Sequence, residues 1–340
     1  FRTPFLPPAS SSSNLNISIF TIGSVHWMLF SSRVIRGARA RGRIGSCRRW
    51  LSNLCEWPRH DHVPIYLVDA FTEGPFHGNP AAVCLLPDDV TASSRWMQNV
   101  AMEMNQAETA FVTPLSHNDS RFSLRWFTPV AEVDLCGHAT LASAKVLFQE
   151  RFASKEKKIE FETRSGILTA SDDAGEKSNE LFTLEFPSEP VEMLTDESEI
   201  ESVVSSLGGV DVKFVGRTKF DYFIELESEK EVRDFQPMFD KIAAIGRRGT
   251  TITARASSPN DYVARFFAPQ LGIPEDPVTG SAHCALGPYW GRHLDKRNLI
   301  GFQASKRGGT VRVNILNEDR VELKGGAVVT MKGELRVLVL

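Results

Sequence analysis

Two short segments of the sequence combine an acidic residue, a glycine and the expected start of a helix. In DLCGHA, Asp134 precedes Gly137 and His138, and in EDPVTGSA, Asp276 precedes Gly280. A helix N-terminus presents free backbone N–H groups and the positive end of the helix dipole, which together favour anions. Both segments therefore predict a site for a carboxylate, or for negative charge that develops when a proton is abstracted.

The two segments also share their surroundings. An aromatic strand ending in proline precedes each, RWFTP in one case and RFFAP in the other, and alanine followed by an apolar helix comes after each. This repeat predicts an internal duplication, with two similar domains facing each other across a cleft. We expect the halves to span residues 63–180 and 181–340, with the last strands free to cross back to the first half.

Hydrophobic periodicity and turn residues predict the elements that would position these segments. Strands are predicted at 65–71, 81–87, 108–115, 121–129, 181–187, 250–256 and 262–269, with paired strands at 158–171 and 212–226 and a meander of short strands at 309–340. Helices are predicted at 93–105, 135–150, 197–208 and 231–246, with one more after Gly280.

Three side chains near these elements each have two local interpretations. Glu108 starts a strand beside apolar residues, where a carboxylate is either solvated or desolvated and suited to acid/base work. His138 follows a glycine at a helix start, where the dipole favours a neutral imidazole over imidazolium, and plain capping is the alternative. Asp276 is either a ligand-binding residue or a turn and capping residue.

Composition excludes several functional classes. The chain has 340 residues, 42% of them hydrophobic, which permits a sizeable core. A formal net charge of −3 gives no general attraction to nucleic acid or to an anionic membrane. The five cysteines show no CxxC spacing, which indicates a reducing compartment, and no phosphate-binding glycine loop or metal-ligand spacing is present in the sequence. We therefore expect neither a metal nor a nucleotide cofactor.

Residues 1–62 differ from the rest of the chain. They are rich in serine and arginine and contain no acidic residue before Glu56. This composition is typical of an organelle transit peptide, which would direct the protein to a plastid or mitochondrion, and a wrongly extended translation is the alternative. The apolar run in this lead is too short and too interrupted for a membrane anchor. Without the lead, we expect a cytoplasmic protein.

Several motifs occur in a fixed order, DAFTEGPFHGNPAAV, NQAETAFV, WFTPVAEVDLCGHATLASA and RFFAPQLGIPEDPVTGSAHCAL. This series resembles the PhzF-like, or phenazine biosynthesis-like, family within the diaminopimelate-epimerase-like fold, over roughly residues 63–340. The resemblance implies an α+β fold of two similar domains, each a mostly antiparallel sheet wrapped around a central helix. It also implies a cofactor-free active site between the domains, and a homodimer.

The resemblance further assigns roles to individual positions. The catalytic set that it implies is Glu108, as the acid/base carboxylate, with His138 and Asp276. The substrate-binding positions are Asn79, Gly137, Gly280 and Ser281. In the predicted elements, Glu108 starts a strand and Asn79 lies in a loop, while the other residues lie at or just before the two helix starts.

Two reactions and one non-catalytic function are compatible with these residues. A single carboxylate can move a proton between two carbons on one face of a small anionic metabolite. A two-base racemase or epimerase of this fold would place a thiol at each helix start, but Cys136 precedes Gly137 whereas Thr279 precedes Gly280. Cys284 lies about one helical turn further on. We expect a cofactor-independent isomerase, and a protein that binds a small ligand or a partner without chemistry is the other alternative.

Overall fold

The structure is a computed structural model that describes residues 63–88, 91–115, 120–173 and 181–336. This part of the chain forms seventeen strands. The strands are β1 (Val63–Ala70), β2 (Asn79–Leu85), β3 (Glu108–Pro114), β4 (Arg121–Phe127), β5 (Glu132–Val133), β6 (Ile159–Thr163), β7 (Gly166–Asp172), β8 (Leu181–Pro187), β9 (Glu192–Met193), β10 (Val212–Arg217), β11 (Asp221–Leu226), β12 (Gly249–Arg255), β13 (Tyr262–Ala268), β14 (Ile273–Asp276), β15 (Asn298–Gln303), β16 (Gly309–Ile315) and β17 (Arg320–Leu335). The α-helices are α1 (Ser94–Met104), α2 (Gly137–Gln149), α3 (Glu197–Ser206), α4 (Glu229–Asp234), α5 (Phe239–Ala244) and α6 (Gly280–Leu294).

The strands of the first half close into a barrel around α2. The pairing runs β1–β2–β3–β4–β6–β7–β8–β17 and returns to β1, and only the pairs β2–β3 and β4–β6 in this ring are parallel. These eight strands surround the apolar helix α2, in which His138 through Phe148 are all buried. The barrel therefore fixes the position of the α2 N-terminus.

The second half repeats this arrangement around α6. Its order is β9–β10–β11–β12–β13–β15–β16–β17, with β14 paired to β13. The parallel pairs β11–β12 and β13–β15 stand where β2–β3 and β4–β6 stand in the first half. The fold is thus α+β, with two similar, mostly antiparallel sheets each wrapped around a central helix. The exact boundary at residue 180 stays a prediction.

In place of the predicted meander, the C-terminal end has two antiparallel strands, β16 of 7 residues and β17 of 16 residues. β17 pairs with β8 as far as Gly326 and with β1 from Ala327 onward. A Cβ on Gly325 would collide with the ring of Phe71, so the two glycines admit close packing at this crossing instead of forming a turn. The prediction of antiparallel strands in this region is confirmed by β16 and β17, and it was wrong in expecting only short ones, since β17 continues through the two glycines.

The predicted helix at 231–246 is also wrong in its extent. The structure has two short helices here, α4 and α5, separated by the segment that contains Pro237. Proline lacks a backbone N–H and disfavours helical geometry in the preceding residue, so it ends α4.

The lead over residues 1–62 lies outside the described residues, and the interpretations given to it stay predictions. The described residues belong to a compact unit that spans 52–340. None of the helices in the described ranges is both long enough and apolar enough to cross a membrane.

Two glycines of α6 provide a test of how tightly this helix packs on the sheet. A Cβ on Gly287 would collide with Cγ1 of the buried Val313, whereas a Cβ on Gly280 would have ordinary contacts of 3.6 and 3.7 Å. We expect Gly287→Ala to lower the free energy of unfolding by about 1–3 kcal/mol, because overpacking outweighs the gain in helix propensity. Gly280→Ala, the matched control, should change it by less than about 0.5 kcal/mol. Chemical denaturation of both variants measures the difference, and equal stabilities would contradict the packing described.

Candidate active site

Glu108 and His138 face each other beside the N-terminus of α2. Glu108 is the first residue of β3 and His138 is the second residue of α2. Glu108 Oε2 lies 3.1 Å from His138 Nε2, and the two side chains are 13% and 6% exposed. This distance suits an ion pair, and neither atom has a further hydrogen-bond partner within the described residues. A buried acid and base are thus held together in direct contact.

Asn79 connects this pair to the second half of the chain. It is fully buried at the start of β2. Its Nδ2 donates to Asp276 Oδ1 at 2.8 Å and to the Val278 carbonyl at 2.9 Å, and it lies 3.2 Å from His138 Nδ1. The side chains predicted as the catalytic set therefore form one continuous group, although 197 residues separate Asn79 from Asp276.

Asp276 ends β14, and its carboxylate turns inward. Oδ2 accepts a hydrogen bond from the Thr279 hydroxyl at 2.6 Å, and Oδ1 accepts the one from Asn79. Burial raises the pKa of Asp276 from its ordinary value of 3.8 to about 6, with a further rise from the charge of Glu108, while His138 and the two hydrogen bonds oppose the rise. This carboxyl group therefore exchanges its proton near neutral pH, as an acid/base group must.

The two central helices bring their N-termini together at this site. A Cβ on either Gly137 or Gly280 would lie 3.6 Å from the Cα of the other glycine. Neither preceding residue, Cys136 or Thr279, caps its helix through its side chain. Threonine commonly caps helices, but here its hydroxyl is bound to Asp276. Two positive helix ends meet with free N–H groups, which is a favourable place for an anion.

The pKa of His138 is subject to opposing influences. Burial lowers the pKa of the imidazole, but negative charge on Cys136 and Glu108 raises it, and the net direction is well above the ordinary value. Burial also raises the pKa of the Cys136 thiol, so that the thiol is uncharged at neutral pH. With that thiol uncharged, Glu108 alone favours imidazolium, whereas burial and the helix dipole favour the neutral ring, and the charge state of His138 stays a prediction.

Ser281 is placed differently from the other predicted binding residues. Its hydroxyl accepts a hydrogen bond from Arg248 Nη2 at 3.1 Å, and Arg248 also binds the buried Asp221 through two hydrogen bonds. The hydroxyl is thus already bound to an arginine. Its backbone N–H remains at the second position of α6, beside that of Gly280.

Three of the site residues also present atoms of the kinds that bind metals. Glu108, Cys136 and His138 each offer one such atom, and these atoms lie within 4.8 Å of one another. Cys136 Sγ is 3.5 Å from His138 Nδ1. Carboxylate, thiolate and imidazole together suit a zinc-like ion, so the expectation of a metal-independent site stays a prediction.

Two further residues hold the group together, and the sequence analysis did not assign them to the site. Thr279 was considered only as the replacement for a thiol, yet it binds the Asp276 carboxylate. Gln303, the last residue of β15, is fully buried and binds both Asp276 and Thr279. For Thr279, the only signal in the sequence was a polar residue directly before a glycine-led helix. No sequence signal indicated Gln303.

A duplicated α+β fold, with acid/base side chains beside two central helix N-termini, defines the class of epimerase-like isomerases. A family model described as phenazine biosynthesis-like protein matches residues 68–333. The chain therefore belongs to the phenazine biosynthesis-like (PhzC-PhzF) family, as the sequence resemblance indicated, and it is an isomerase of that family.

Individual relatives agree with this assignment. The chain is 48% identical over 277 residues to an uncharacterized isomerase of Halalkalibacterium halodurans, which covers 80% of this chain and 98% of the relative. A crystal structure of a PhzF-family phenazine biosynthesis protein from Enterococcus faecalis has a TM-score of 0.72 at 39% identity, covering 81% of this chain and 99% of that one. A predicted epimerase from Pseudomonas aeruginosa, at 18% identity and a TM-score of 0.62, shares the fold over 80% of this chain and 98% of its own.

Proposed function

We propose that this isomerase moves a proton within a small carboxylate-bearing metabolite, with Glu108 as the acid/base group and without a cofactor. The observation that carries the proposal is the buried pair of Glu108 Oε2 and His138 Nε2, 3.1 Å apart and both without a further hydrogen-bond partner in the described ranges. Free helix N–H groups lie beside the pair. A base next to an anion site is the arrangement that proton abstraction from a carboxylate-bearing carbon acid requires.

The proposed reaction is a 1,3-proton shift. Glu108 takes a proton from a substrate carbon, and the electron pair of the broken C–H bond moves into an adjacent unsaturated system. The N–H groups at Gly137 and Gly280 stabilise the negative charge that develops, a contribution of about 3–4 kcal/mol per donor in a well-formed site. Glu108, now a carboxylic acid, returns the proton to a carbon two positions away. The substrate is therefore an unsaturated, preferably cyclic, small acid.

Asp276 and His138 support this step. His138, held as imidazolium by Glu108, carries positive charge next to the base and the substrate. Asp276, whose pKa is raised to about 6 by burial, binds a polar substituent or passes a proton to it. Asn79 lies between the two side chains, with a hydrogen bond to Asp276 and its amide nitrogen 3.2 Å from His138 Nδ1. Substrate contact at any one of these groups thus affects the other two.

A solvent-exchange experiment tests the proposal. The protein is incubated in D2O with a panel of cyclohexene- and cyclohexadiene-carboxylic acids and with a cell metabolite extract, and deuterium incorporation is followed by mass spectrometry. Incorporation at a carbon-bound position supports proton transfer. Saturable binding of an acid with no incorporation would instead support the ligand-binding alternative. Repeating the experiment after chelator treatment tests independence from a metal.

The two-thiol racemase is the alternative within the same fold, and the geometry disfavours it. Thr279 stands at the second helix start, and the thiol of Cys284 lies one turn into α6, where burial raises its pKa to about 12. We expect Cys136→Ser to retain deuterium incorporation within about fivefold of the wild type, because an uncharged thiol next to His138 is not the base. A loss of 1000-fold or more in this assay would favour thiol catalysis and contradict the role of Glu108.

The remaining expectations belong to this proposal as well. Assembly as a homodimer and a cytoplasmic location follow from the family resemblance and the composition. Sedimentation velocity of the purified protein measures whether it is a dimer.

A further inference from the structure

The side chain of Gln303 makes three hydrogen bonds to the turn between β14 and α6, and it also interacts with His283 on α6. Gln303 is 0% exposed. Its Oε1 accepts a hydrogen bond from the Thr279 N–H at 2.8 Å, and its Nε2 donates to the Asp276 carbonyl at 2.7 Å and to Thr279 Oγ1 at 3.1 Å. One buried amide thus binds the turn at three points, with both of its donors and its acceptor in use.

These hydrogen bonds determine the direction of the Thr279 hydroxyl. Because Oγ1 accepts a hydrogen bond from Gln303, the hydroxyl proton is directed to the other near neighbour, Asp276 Oδ2, at 2.6 Å. Asn79 donates to Oδ1 of the same carboxylate. Both carboxylate oxygens of Asp276 therefore receive a hydrogen bond, which favours the ionised form.

We propose that Gln303 is a positioning residue, which orients the Thr279 hydroxyl toward Asp276 and so keeps this carboxylate fixed and ready to ionise. The assignment rests on the proposed function for its catalytic meaning, since Asp276 matters to the reaction only if that proposal holds. The geometric part, in which Gln303 controls Asp276 through Thr279, is independent of any substrate.

Charged groups from the neighbouring elements also act on Asp276. His138 on α2 favours its ionised form, and Glu108 on β3 disfavours it. His283 on α6 stays neutral in the relevant range, because burial lowers its pKa to about 3. None of these charges changes when Gln303 is replaced by a neutral residue of similar length, so a shift in the titration of Asp276 would report the lost hydrogen bonds.

The test is a 13C NMR titration of the Asp276 carboxyl in the full chain and its variants, which needs no substrate. Thr279→Val should raise the pKa of Asp276 by about 1, because it removes the hydroxyl hydrogen bond that favours the carboxylate, and Gln303→Met should raise it by up to about 1, because the hydroxyl is then free to rotate away. In the double variant the rise should be no larger than in Thr279→Val, because both changes act on the same hydrogen bond. Ser305→Ala is the matched control, since Ser305 Oγ donates to the Pro277 carbonyl of the same turn at 2.8 Å, and it should leave the pKa unchanged.

A pKa of Asp276 within 0.3 of the wild-type value in Gln303→Met, or additive rises in the double variant, would overturn the proposal. If Gln303→Met does not fold, Thr279→Val alone still tests the same hydrogen bond, and an unchanged pKa there would also overturn it. Failure of the proposed function is recognised separately. A raised pKa in Gln303→Met together with normal deuterium exchange in Asp276→Asn would support positioning by Gln303 while refuting a catalytic role for Asp276.

Discussion

Replacing Glu108 with glutamine should reduce the rate of proton transfer by about 1000-fold or more. A positioned acid/base group contributes about 100- to 10,000-fold, and an amide cannot accept the proton from carbon. The substitution keeps the size of the side chain, so it should leave the fold and the position of His138 unchanged. Deuterium incorporation into the accepted acid, measured per enzyme molecule over time, gives the ratio of rates.

Two comparisons make this result specific to Glu108. Glu103→Gln, on the exposed face of α1, is the matched control and should leave the rate unchanged. Glu108→Asp keeps the carboxylate but withdraws it by one methylene, and we expect an intermediate loss of about 10- to 100-fold, since catalysis depends on the position of the base. A Glu108→Gln variant that retained exchange within tenfold of the wild type would rule out Glu108 as the base.

The same variant has a second, independent signature at His138. The Glu108 carboxylate raises the pKa of this imidazole, so its removal should lower that pKa toward or below the ordinary value. NMR titration of the histidine ring measures the change without any substrate. An unchanged pKa of His138 would mean that Cys136, and not Glu108, is the group that raises it.

The candidate site was predictable from sequence where local chemistry marks it. Gly137 and Gly280 open helices after acidic segments, and this pattern alone identified the two helix starts that meet in the structure. Glu108 at the start of a strand was ambiguous on local grounds. Its proximity to His138 depends on the barrel closing around α2, which no local pattern encodes, and the family resemblance supplied the missing information.

Other parts of the fold could not be predicted from local patterns. The sequence analysis did not predict β15, because this segment contains Gly301 and glycine suggests a turn. In the structure, a Cβ on Gly301 would collide with the ring of Tyr262, so this glycine allows close packing. Gln303 ends this strand and is a neutral amide 24 residues from Thr279. Its importance arises only when β15 pairs beside β13 and carries the amide to the turn before α6.

Asp276→Asn should lower catalysis and raise stability at the same time. Loss of an acid/base or binding carboxylate in the site should reduce proton transfer by about 100-fold. For stability, the sign follows from the raised pKa. Burial holds the folded-state pKa at about 6, whereas the unfolded chain has the ordinary value of 3.8. Between these values the folded state binds more protons than the unfolded state, so the free energy of unfolding falls as the pH rises through this range.

Above about pH 6 the wild-type protein carries the full cost of an ionised, partly buried carboxylate. A difference of about two in pKa corresponds to at most about 3 kcal/mol, and screening by solvent together with the altered hydrogen bond to Asn79 reduces the net gain to about 1 kcal/mol. We therefore expect Asp276→Asn to be about 1 kcal/mol more stable than the wild type at pH 7 and no more stable at pH 4. Urea denaturation at both pH values, with the exposed Asp211→Asn as control, measures this. If Asp276→Asn is inactive and less stable than the wild type at pH 7, Asp276 serves the fold. If Asp276→Asn is inactive and more stable, the carboxylate is retained for chemistry at the expense of stability.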